Sequence, residues 1–223
     1  MTAAVARNSG SGSFSCPAAC FLLLSVCGAL VFSSCDTAPP AVASVDSRVI
    51  FDYADSVSAP SVRLAVFLQV RKGTSLNRKS EQGILSVSAP DERYVWDCPA
   101  VQDAGVSDGG RWVGSAHFLP PPGTALPVGV YRLRYSDASG RRCEESFSVS
   151  YPAELAAHDV SAVQGIAERR RKMLSALYRQ DGTLLFLGDA ADGSQLPEDA
   201  GVMRRCVLID GGSVVCMLPP EDA

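Results

Sequence analysis

The sequence predicts a mainly β fold, in which a β-sandwich is followed by a small α+β region of one amphipathic helix and β-hairpins. From Arg48 onward, short runs of apolar or β-branched residues recur between turn residues, which is typical of strands. Two of these runs show an alternation of apolar with mostly polar residues. After Tyr151 and Pro152 the apolar residues recur at helical spacing, so we expect the sandwich to end there.

The first 34 residues are predicted to be a signal peptide. Arg7 is the only charged residue before Asp36, and residues 18–32 form an uncharged, apolar block. That block has the length of a signal-peptide h-region, roughly 7 to 15 residues. It is short for a bilayer span, which needs on the order of 20 residues. We therefore expect the chain to be exported.

Two small residues, Ser33 and Ser34, stand directly before Cys35 and give a peptidase access to the backbone. Cys35 then offers a thiol for acylation. This pattern resembles the lipobox of bacterial lipoproteins, with Phe32 where that family prefers leucine, a looseness similar to spirochaetal lipoproteins. The resemblance covers residues 1–36. It implies cleavage before Cys35, acylation there with diacylglycerol and palmitate, and a lipid anchor in the inner or outer membrane of the bacterial cell envelope, facing the periplasm or the exterior.

Two alternatives to lipidation remain open. Ala41, Val42 and Ala43 form an A-x-A site for ordinary signal peptidase, which would release a secreted protein, although the site lies far beyond the apolar block. An uncleaved leader would instead anchor the protein in the membrane. If Cys35 is acylated, Asp36 favours the inner membrane, by resemblance to enteric lipoproteins.

The chain is mildly acidic, with a formal net charge of −4 over 223 residues. Because nucleic-acid binding requires basic side chains to neutralise phosphates, we expect no nucleic-acid partner. No motif points to a cofactor. An even number of cysteines beyond the leader favours disulfides in an oxidising compartment. Their spacing lacks C-x-x-C, so we expect no metal site. These cysteines are Cys98, Cys143, Cys206 and Cys216.

Residues 35–46 are expected to form a tether, rich in Ala, Pro and Ser, that holds the folded body away from the membrane. Residues 47–152 are expected to form the sandwich. Its seven predicted strands have the number and spacing of an immunoglobulin-like sandwich. They cover residues 49–51, 62–70, 84–87, 94–96, 112–119, 130–135 and 146–151.

The last two of these strands predict a hairpin with a definite register. A three-residue loop ending at Gly140, which supplies a positive φ, pairs Tyr131 with Phe147 on the core face. The same register pairs Arg134 with Glu144 on the outer face. Apolar residues face apolar residues and opposite charges face each other, so the pattern is consistent on both sides.

The residues before this hairpin, Leu126, Gly129 and Tyr131, resemble the tyrosine corner of immunoglobulin-like and fibronectin-like domains. The resemblance implies that the Tyr131 hydroxyl ties the chain back before the penultimate strand. Leu133 stands where an antibody domain places a cysteine, so the inter-sheet disulfide of that family is absent. With Trp96 on strand C of such a domain, Cys98 and Cys143 would lie at opposite ends of the sandwich and could not pair with each other, so both are left unassigned.

Residues 153–223 are expected to form the helix and the hairpins. Apolar residues at helical spacing over 160–177, with a capping box of Ser161 and Gln164, predict the amphipathic helix. Residues 180–182 either end that helix or form the turn of a hairpin joining 174–178 to 184–187. A second hairpin over 205–218, with a loop at 210–212, places Cys206 opposite Cys216 and predicts a disulfide between them.

Two groups of basic residues have candidate surface roles. Arg169, Arg170, Arg171 and Lys172 offer charge to anionic lipid headgroups, although a solvated helix surface is the favoured interpretation. Arg132, Arg134 and Arg142 form a basic stripe on the outer sheet face, for which pairing within the sheet is favoured over contact with an acidic surface.

No phosphate-binding loop, dinucleotide fingerprint, zinc-protease helix or nucleophile elbow is present, so we assign no catalytic residue. His117 and His158 are interpreted as structural. We expect a membrane-anchored module that binds an envelope protein or takes part in assembly. The rival hypothesis is an envelope hydrolase with a site at the junction of the sandwich and the helix, using His158, Asp159 or Glu154 and a reactive hydroxyl. A purely structural envelope protein is a third possibility.

Overall fold

A computed structural model of the chain describes residues 40–71, 83–99, 106–107, 110–137, 140–189 and 200–222. The predicted signal peptide and Cys35 lie outside these residues. Twelve strands are present in the described residues, and they form two sheets. The prediction of a mainly β fold is therefore confirmed.

The larger sheet contains eight strands, which are β1 Val42–Asp52, β2 Ser61–Val70, β5 Val106–Ser107, β6 Gly110–Phe118, β9 Arg171–Tyr178, β10 Leu184–Gly188, β11 Val202–Ile209 and β12 Val214–Asp222. Their order is β10-β9-β11-β12-β1-β2-β6-β5. Neighbouring strands are antiparallel except β1 and β12, which run parallel. The first and last described strands therefore meet inside this sheet.

The smaller sheet contains β3 Ile84–Ser88, β4 Val95–Pro99, β7 Gly129–Ser136 and β8 Arg142–Val149. Its order is β4-β3-β7-β8, and all its pairs are antiparallel. Two one-turn helices, α1 Glu154–Ala157 and α2 Ser161–Gln164, lie between β8 and β9. Single 3-10 turns occur at Pro90–Glu92, Glu168–Arg170 and Asp210–Gly212.

The buried faces of the two sheets contribute to one hydrophobic core. Phe51 and Leu64 of the larger sheet and Leu85 and Leu133 of the smaller sheet are essentially inaccessible to solvent. Each such side chain contributes on the order of 2 kcal/mol by leaving water. Each of the seven runs predicted as strands overlaps a strand of these two sheets. The apolar runs of residues 47–152 therefore supply the facing surfaces of both layers.

The hairpin of β7 and β8 has the predicted register. Tyr131 pairs with Phe147, and Arg134 pairs with Glu144. Gly140 has a φ of +81°, as its place in the turn requires. Alternation of apolar and polar residues thus determined the register correctly.

The amphipathic helix predicted over residues 160–177 is wrong beyond its first turn. The helix α2 is a single turn from Ser161 to Gln164, with Val160 rather than Ser161 as its N-cap, and β9 takes up most of the remainder. Ala176 and Leu177 are adjacent and both nearly inaccessible, so this part of β9 is covered on both faces. A segment buried on both faces lacks the alternation of a half-exposed strand, and its apolar residues matched a helical period by chance.

The alternative interpretation of the same segment, a hairpin, is confirmed. Antiparallel β9 and β10 flank a turn in which the Gly182 amide donates to the Arg179 carbonyl at 2.9 Å. Gly182 has a φ of +83°. The turn residues of this segment therefore close a hairpin and do not end a helix.

The segment after residue 152 continues the larger sheet. The strands β9 to β12 join the rest of that sheet where β12 pairs with β1, with Val49 opposite Val214. The described residues belong to one unit, Pro39–Ala223. In addition, β1 begins at Val42, inside the segment expected to be a tether.

The structure contains no disulfide between Cys206 and Cys216, contrary to the prediction, and both residues are free and buried. The loop between β11 and β12 has four residues rather than three, because Ile209 pairs with Val214. Cys206 therefore lies opposite Met217, one position away from Cys216. Adjacent residues of a strand point to opposite faces, so the two thiols lie on opposite sides of the sheet.

Cys98 and Cys143 are also free, and both are half-buried. They lie in one row across the smaller sheet, in which Leu85 and Tyr135 stand between them. The two cysteines are therefore at opposite edges of the same row, and not at opposite ends as expected. Three strand spacings separate them by about 14 Å, which is too far for a disulfide.

Candidate functional site

The loop between β6 and β7 is held by two tyrosine hydroxyls. Tyr131 is buried on β7 and donates to the carbonyl of Pro127 at 2.8 Å. Tyr151 donates to the neighbouring carbonyl of Leu126 at 2.5 Å. Burial raises the pKa of the Tyr131 hydroxyl, which keeps it a donor. Within the predicted tyrosine corner, Leu126 and Tyr131 are thus a structural support, whereas Gly129 also lines a depression on the surface of the smaller sheet.

Gly129 in the same corner has a positive φ of +144°. A Cβ at this position would lie 3.0 Å from the ring of Pro90. Leu126 is 1 % exposed and fixes the loop in the core. The corner therefore positions the start of β7 against the turn that follows β3.

The outer face of the smaller sheet contains a depression that we call the serine trough. Its floor is Ser86 and Ser88 on the inner strand β3. Longer side chains on the flanking strands form its walls, Asp97 on β4 and Arg134 on β7, in the same row as Ser86. Short residues between long ones create the depression, because strand side chains stand perpendicular to the sheet.

The trough consists of two adjoining depressions of about 620 and 630 Å³. They share Ser88, Glu92 and Arg132 in their linings. Val95 and Val130, which are 52 % and 60 % exposed, lie at its margins. These volumes lie within the range of ordinary ligand sites, roughly 300 to 1,000 Å³.

Polar contacts hold the walls of the trough in place. Arg134 Nε donates to Glu144 at 2.8 Å, and Arg132 pairs with Glu92 at 3.2 Å. The Ser86 hydroxyl donates to Asp97. These groups are exposed, so the pairs contribute at most about 1 kcal/mol each to stability. Their effect is to orient the long side chains and leave the floor accessible.

Glu92 adopts a left-handed backbone conformation, with a φ of +52°. A non-glycine residue there is strained by on the order of 1 kcal/mol. The conformation places the Glu92 carboxylate beside Arg132 at one end of the trough. Around Ser86, the charged side chains on the outer face are two arginines and three carboxylates, so the net charge there is negative. These residues are Arg132, Arg134, Glu92, Asp97 and Glu144.

A second depression, which we call the junction groove, lies where the segment of α1 and α2 leaves the smaller sheet. It has a volume of about 560 Å³ and is lined by Glu154, His158, Ser161 and Arg170 together with Pro152 and small or apolar residues of α2 and the turn after it. The structure thus brings together the residues named in the hydrolase hypothesis. His158 and Ser161 are exposed.

The hydrogen bonds of the junction groove do not assemble a catalytic pair. The Ser161 hydroxyl donates to Asp159 at 2.5 Å, and the Ser161 amide donates to the same oxygen at 2.9 Å. These bonds lower the pKa of Asp159, so the carboxylate is a weak base that closes a local turn before α2. Within the described residues, the His158 side chain makes no hydrogen bond to Ser161. The arrangement is that of a helix start.

Three of the four basic residues at 169–172 have acidic partners. Arg170 binds Asp210 through two nitrogens, at 2.9 and 2.6 Å. Arg171 pairs with Glu168 at 3.7 Å, and Lys172 pairs with Asp189 at 2.9 Å. The charge offered to lipid headgroups by this segment is therefore largely compensated. The segment is a 3-10 turn leading into β9 rather than a helix face.

His117 lies exposed on β6 and lines neither depression. Across the described ranges, no group of three or more metal-ligating side chains is close enough together to hold a metal ion. No helix in the part of the chain described here has the length and apolarity to cross a bilayer.

Sequence reasoning missed a charged cluster on the larger sheet. Arg204 on β11 donates to Asp52 on β1 at 2.7 Å and also to the carbonyls of Tyr53 and Leu218. Arg63 on β2 binds the other oxygen of Asp52 at 3.4 Å. All three side chains are less than one quarter exposed. The cluster connects β1 and β2 to β11, which is distant from them in sequence, so no local pattern predicts it.

Sequence reasoning also missed the serine trough, although its signal was present. Leu85 and Val87 are buried and alternate with the half-buried serines of β3. A strand whose outer face is serine, between strands whose outer faces are charged, predicts a depression once the strand order is known.

Neither a model of a known protein family nor a curated protein sequence matches this chain.

Proposed function

We propose that this chain is a lipoprotein of the bacterial cell envelope, anchored through lipid on Cys35, whose body binds another envelope protein. The anchor is supported by the sequence of residues 1–36, in which small residues precede a cysteine after an apolar block. Several acyl chains make a durable anchor, whereas one chain binds a membrane only marginally. The body then faces the periplasm or the cell exterior.

The body is proposed to be an immunoglobulin-like sandwich of the fibronectin-like kind. The support is the strand order, in which the adjacent strands β1, β2 and β6 lie in one sheet and β4-β3-β7-β8 form the other. The hydrogen bond from Tyr131 to Pro127 is the contact expected of a tyrosine corner. Sandwiches of this type host many functions, so the function is argued from the surface and not from the fold.

The observation that carries the binding proposal is the serine trough. Ion pairs and a strained Glu92 hold its walls, and the described residues leave its floor open. Strain and fixed side chains at a surface are features of binding sites, since a site organised in advance loses less entropy when a partner docks. Among the described residues that line the junction groove, none has a positive φ.

The negative lining of the trough favours a partner with a basic side chain. Asp97 has a hydrogen bond from Ser86 but no ion pair within the described residues, so it is available to a lysine or arginine of the partner. Val95 and Val130 at the margins supply apolar contact beside it. A central charged contact with an apolar margin gives orientation and area together.

The anchor is tested on protein purified from a native envelope. Intact mass is expected to show a chain beginning at Cys35 with added acyl groups, and the protein is expected to enter the detergent phase. A Cys35→Ala variant is expected to lose both properties. A mature chain without acyl groups that begins at Ser44 or at Met1 overturns the proposed anchor.

The trough is tested by a photoreactive amino acid placed at Val95, with Leu187 as the matched control. The two native side chains are 52 % and 54 % exposed, and Leu187 lies on β10, in the other sheet. Irradiation of native envelopes is expected to give a protein adduct of one defined mass from the Val95 probe only. The Asp97→Lys variant is expected to abolish it, and the adduct is expected to map to a basic segment. Lipid adducts alone, or an adduct unchanged by Asp97→Lys, overturn the proposal.

A hydrolase is a second candidate because the junction groove gathers Glu154, His158 and Ser161. Hydrolysis requires the Ser161 hydroxyl to turn from Asp159 toward His158, which would act as the base. A fluorophosphonate probe is expected to leave the chain unlabelled. Labelling that disappears in Ser161→Ala, with the fold retained, favours the hydrolase over the binding module.

A further inference from the structure

The strand β4 forms one edge of the smaller sheet, and within the described residues it pairs only with β3. Next to the strand, the amide of Ala89 donates to the carbonyl of Tyr94 at 3.0 Å. These two residues are therefore a hydrogen-bonded pair at the end of the ladder. Such pairs alternate with non-hydrogen-bonded pairs along antiparallel strands. Counting from Ala89 and Tyr94, the pairs that contain Val95 and Asp97 are of the second kind.

The main-chain groups of Val95 and Asp97 consequently point away from β3, toward the open edge of the sheet. Two other observations agree with this assignment. Pro99 has no amide hydrogen to give to β3, and a non-hydrogen-bonded pair with Ile84 requires none. The side chains of Ser86 and Asp97 are in contact, as the closer spacing of such a pair allows. The edge thus offers two amide donors and two carbonyl acceptors for which the described residues supply no partner.

The side chains of the same two residues belong to the serine trough. Asp97 forms one wall and has no ion pair within the described residues, and Val95 lies at the margin with 52 % of its surface exposed. The edge therefore presents open main chain, a carboxylate and an apolar side chain next to one another. A polypeptide in an extended conformation can bind to all three at once.

The opposite edge of this sheet, β8, is less suited to the addition of a strand. Glu145 on β8 pairs with the buried Leu133, so a charge stands on the core side of that edge, which discourages pairing with a further strand. On β4 the corresponding core-side residues are Trp96 and Cys98, which are uncharged and half-buried. Pro99 ends the row of donors, so the addition is confined to about three residues.

We propose that the partner adds a short antiparallel strand to β4, and that this strand carries, from its amino end, a basic residue followed by two apolar residues. The inference deepens the proposed binding function and rests on it. In an antiparallel strand the residue opposite Asp97 comes first, and its basic side chain lies on the outer face beside the carboxylate. The residue opposite Val95 follows two positions later and packs on the valine. The residue between them lies on the core side, against the exposed part of Trp96.

Cross-linking in native envelopes tests the main-chain pairing with a probe elsewhere in the trough. A photoreactive amino acid replaces Val130, which lies at the other margin and is 60 % exposed. Val95→Pro removes the amide hydrogen that points to the open edge. The matched control Val95→Ala removes more of the side chain but keeps this hydrogen. Because one hydrogen bond is lost, the adduct yield is expected to be about fivefold lower in Val95→Pro than in Val95→Ala.

The outcomes separate this inference from the proposed function. If Val130 gives no protein adduct in the chain with the native Val95, the binding of a partner in the trough and this inference are overturned together. Equal adduct yields from Val95→Pro and Val95→Ala, with both variants folded by circular dichroism, overturn this inference alone.

Amide hydrogen exchange, measured by NMR on the full chain in detergent micelles, tests the same point without a substitution in β4. In the free chain the amides of Val95 and Asp97 are expected to exchange about tenfold faster than those of Trp96 and Cys98. The peptide Thr-Thr-Lys-Val-Val-Thr-Thr at millimolar concentration is expected to slow the exchange of the first two amides. The same peptide with glutamate in place of lysine is expected to have no effect. Slow exchange of Val95 and Asp97 in the free chain, or no protection by the lysine peptide, overturns this inference.

Discussion

Two buried tyrosines on one strand allow the contribution of the Tyr131 hydroxyl to the free energy of unfolding to be measured directly. Tyr131 and Tyr135 both lie on β7 and are at most 1 % exposed. The Tyr131 hydroxyl donates to Pro127, whereas the Tyr135 hydroxyl has no hydrogen-bond partner within the described residues. Replacing each by phenylalanine removes one oxygen and keeps the ring, so Tyr131→Phe and Tyr135→Phe differ in the fate of the hydroxyl alone.

The two changes are expected to have opposite signs. A net hydrogen bond contributes about 1 kcal/mol, so Tyr131→Phe should lower the free energy of unfolding by about that amount. The ring contacts of Tyr131 with Phe147 and Trp96, at centroid distances of 5.4 and 6.4 Å, remain in the variant. In Tyr135→Phe a desolvated, unpaired hydroxyl disappears, and the expected change lies between zero and a gain of about 1 kcal/mol.

Urea denaturation followed by circular dichroism measures both values under identical conditions. Unchanged m-values show that the comparison concerns stability and not the extent of unfolding. In thermal melts, each kcal/mol corresponds to about 2 to 4 °C for a chain of this size. Equal losses in the two variants refute the reasoning, because they would mean that the oxygen matters for packing and not for its hydrogen bond.

Two further outcomes follow from other buried groups. Asp52→Asn leaves two half-buried guanidinium groups, Arg63 and Arg204, without their carboxylate, and is expected to lower the free energy of unfolding by about 2 kcal/mol in urea denaturation. Asp46→Asn removes an exposed pair and is expected to lower it by less than about 0.5 kcal/mol. An equal cost at both positions contradicts the role of burial. Burial raises the pKa of Cys216 to about 12 from an ordinary value near 9, so its contribution to stability is present below pH 9 and is lost as pH rises toward 12. Between pH 8 and 11 the free energy of unfolding of the wild type should therefore fall by about 2 kcal/mol more than that of Cys216→Val. Parallel pH profiles of stability for the two proteins would contradict this role of Cys216.

The elements predicted correctly are those with one face exposed to solvent. In β7 and β8 the apolar and polar residues alternate, so the pattern determines both the strands and the pairing of Tyr131 with Phe147. Local chemistry was sufficient in β7 and β8 because one face of each strand remains in water. The predicted capping box is not formed, because Val160 and not Ser161 is the N-cap of α2 and no side chain caps it.

The elements predicted wrongly depend on contacts between distant parts of the chain. In β9, Ala176 is covered on one face and Leu177 on the other, which removes the alternation that identifies a strand. The pairing of Cys206 depends on whether Ser213 belongs to the loop or to the strand, a difference of one residue that apolar runs on both sides do not resolve. Predicting the serine trough likewise required knowledge of the strand order, because its floor lies on β3 and its walls lie on β4 and β7.

The parallel contact of β1 with β12 has a consequence for biogenesis. Among the described strands, β12 alone bridges β9, β10 and β11 to β1 and its neighbours. A polypeptide that is synthesised amino end first therefore leaves one edge of β1 open until residues 214–222 are available. The larger sheet can be completed only then, and a nonsense codon before Val214 would leave two separate half-sheets.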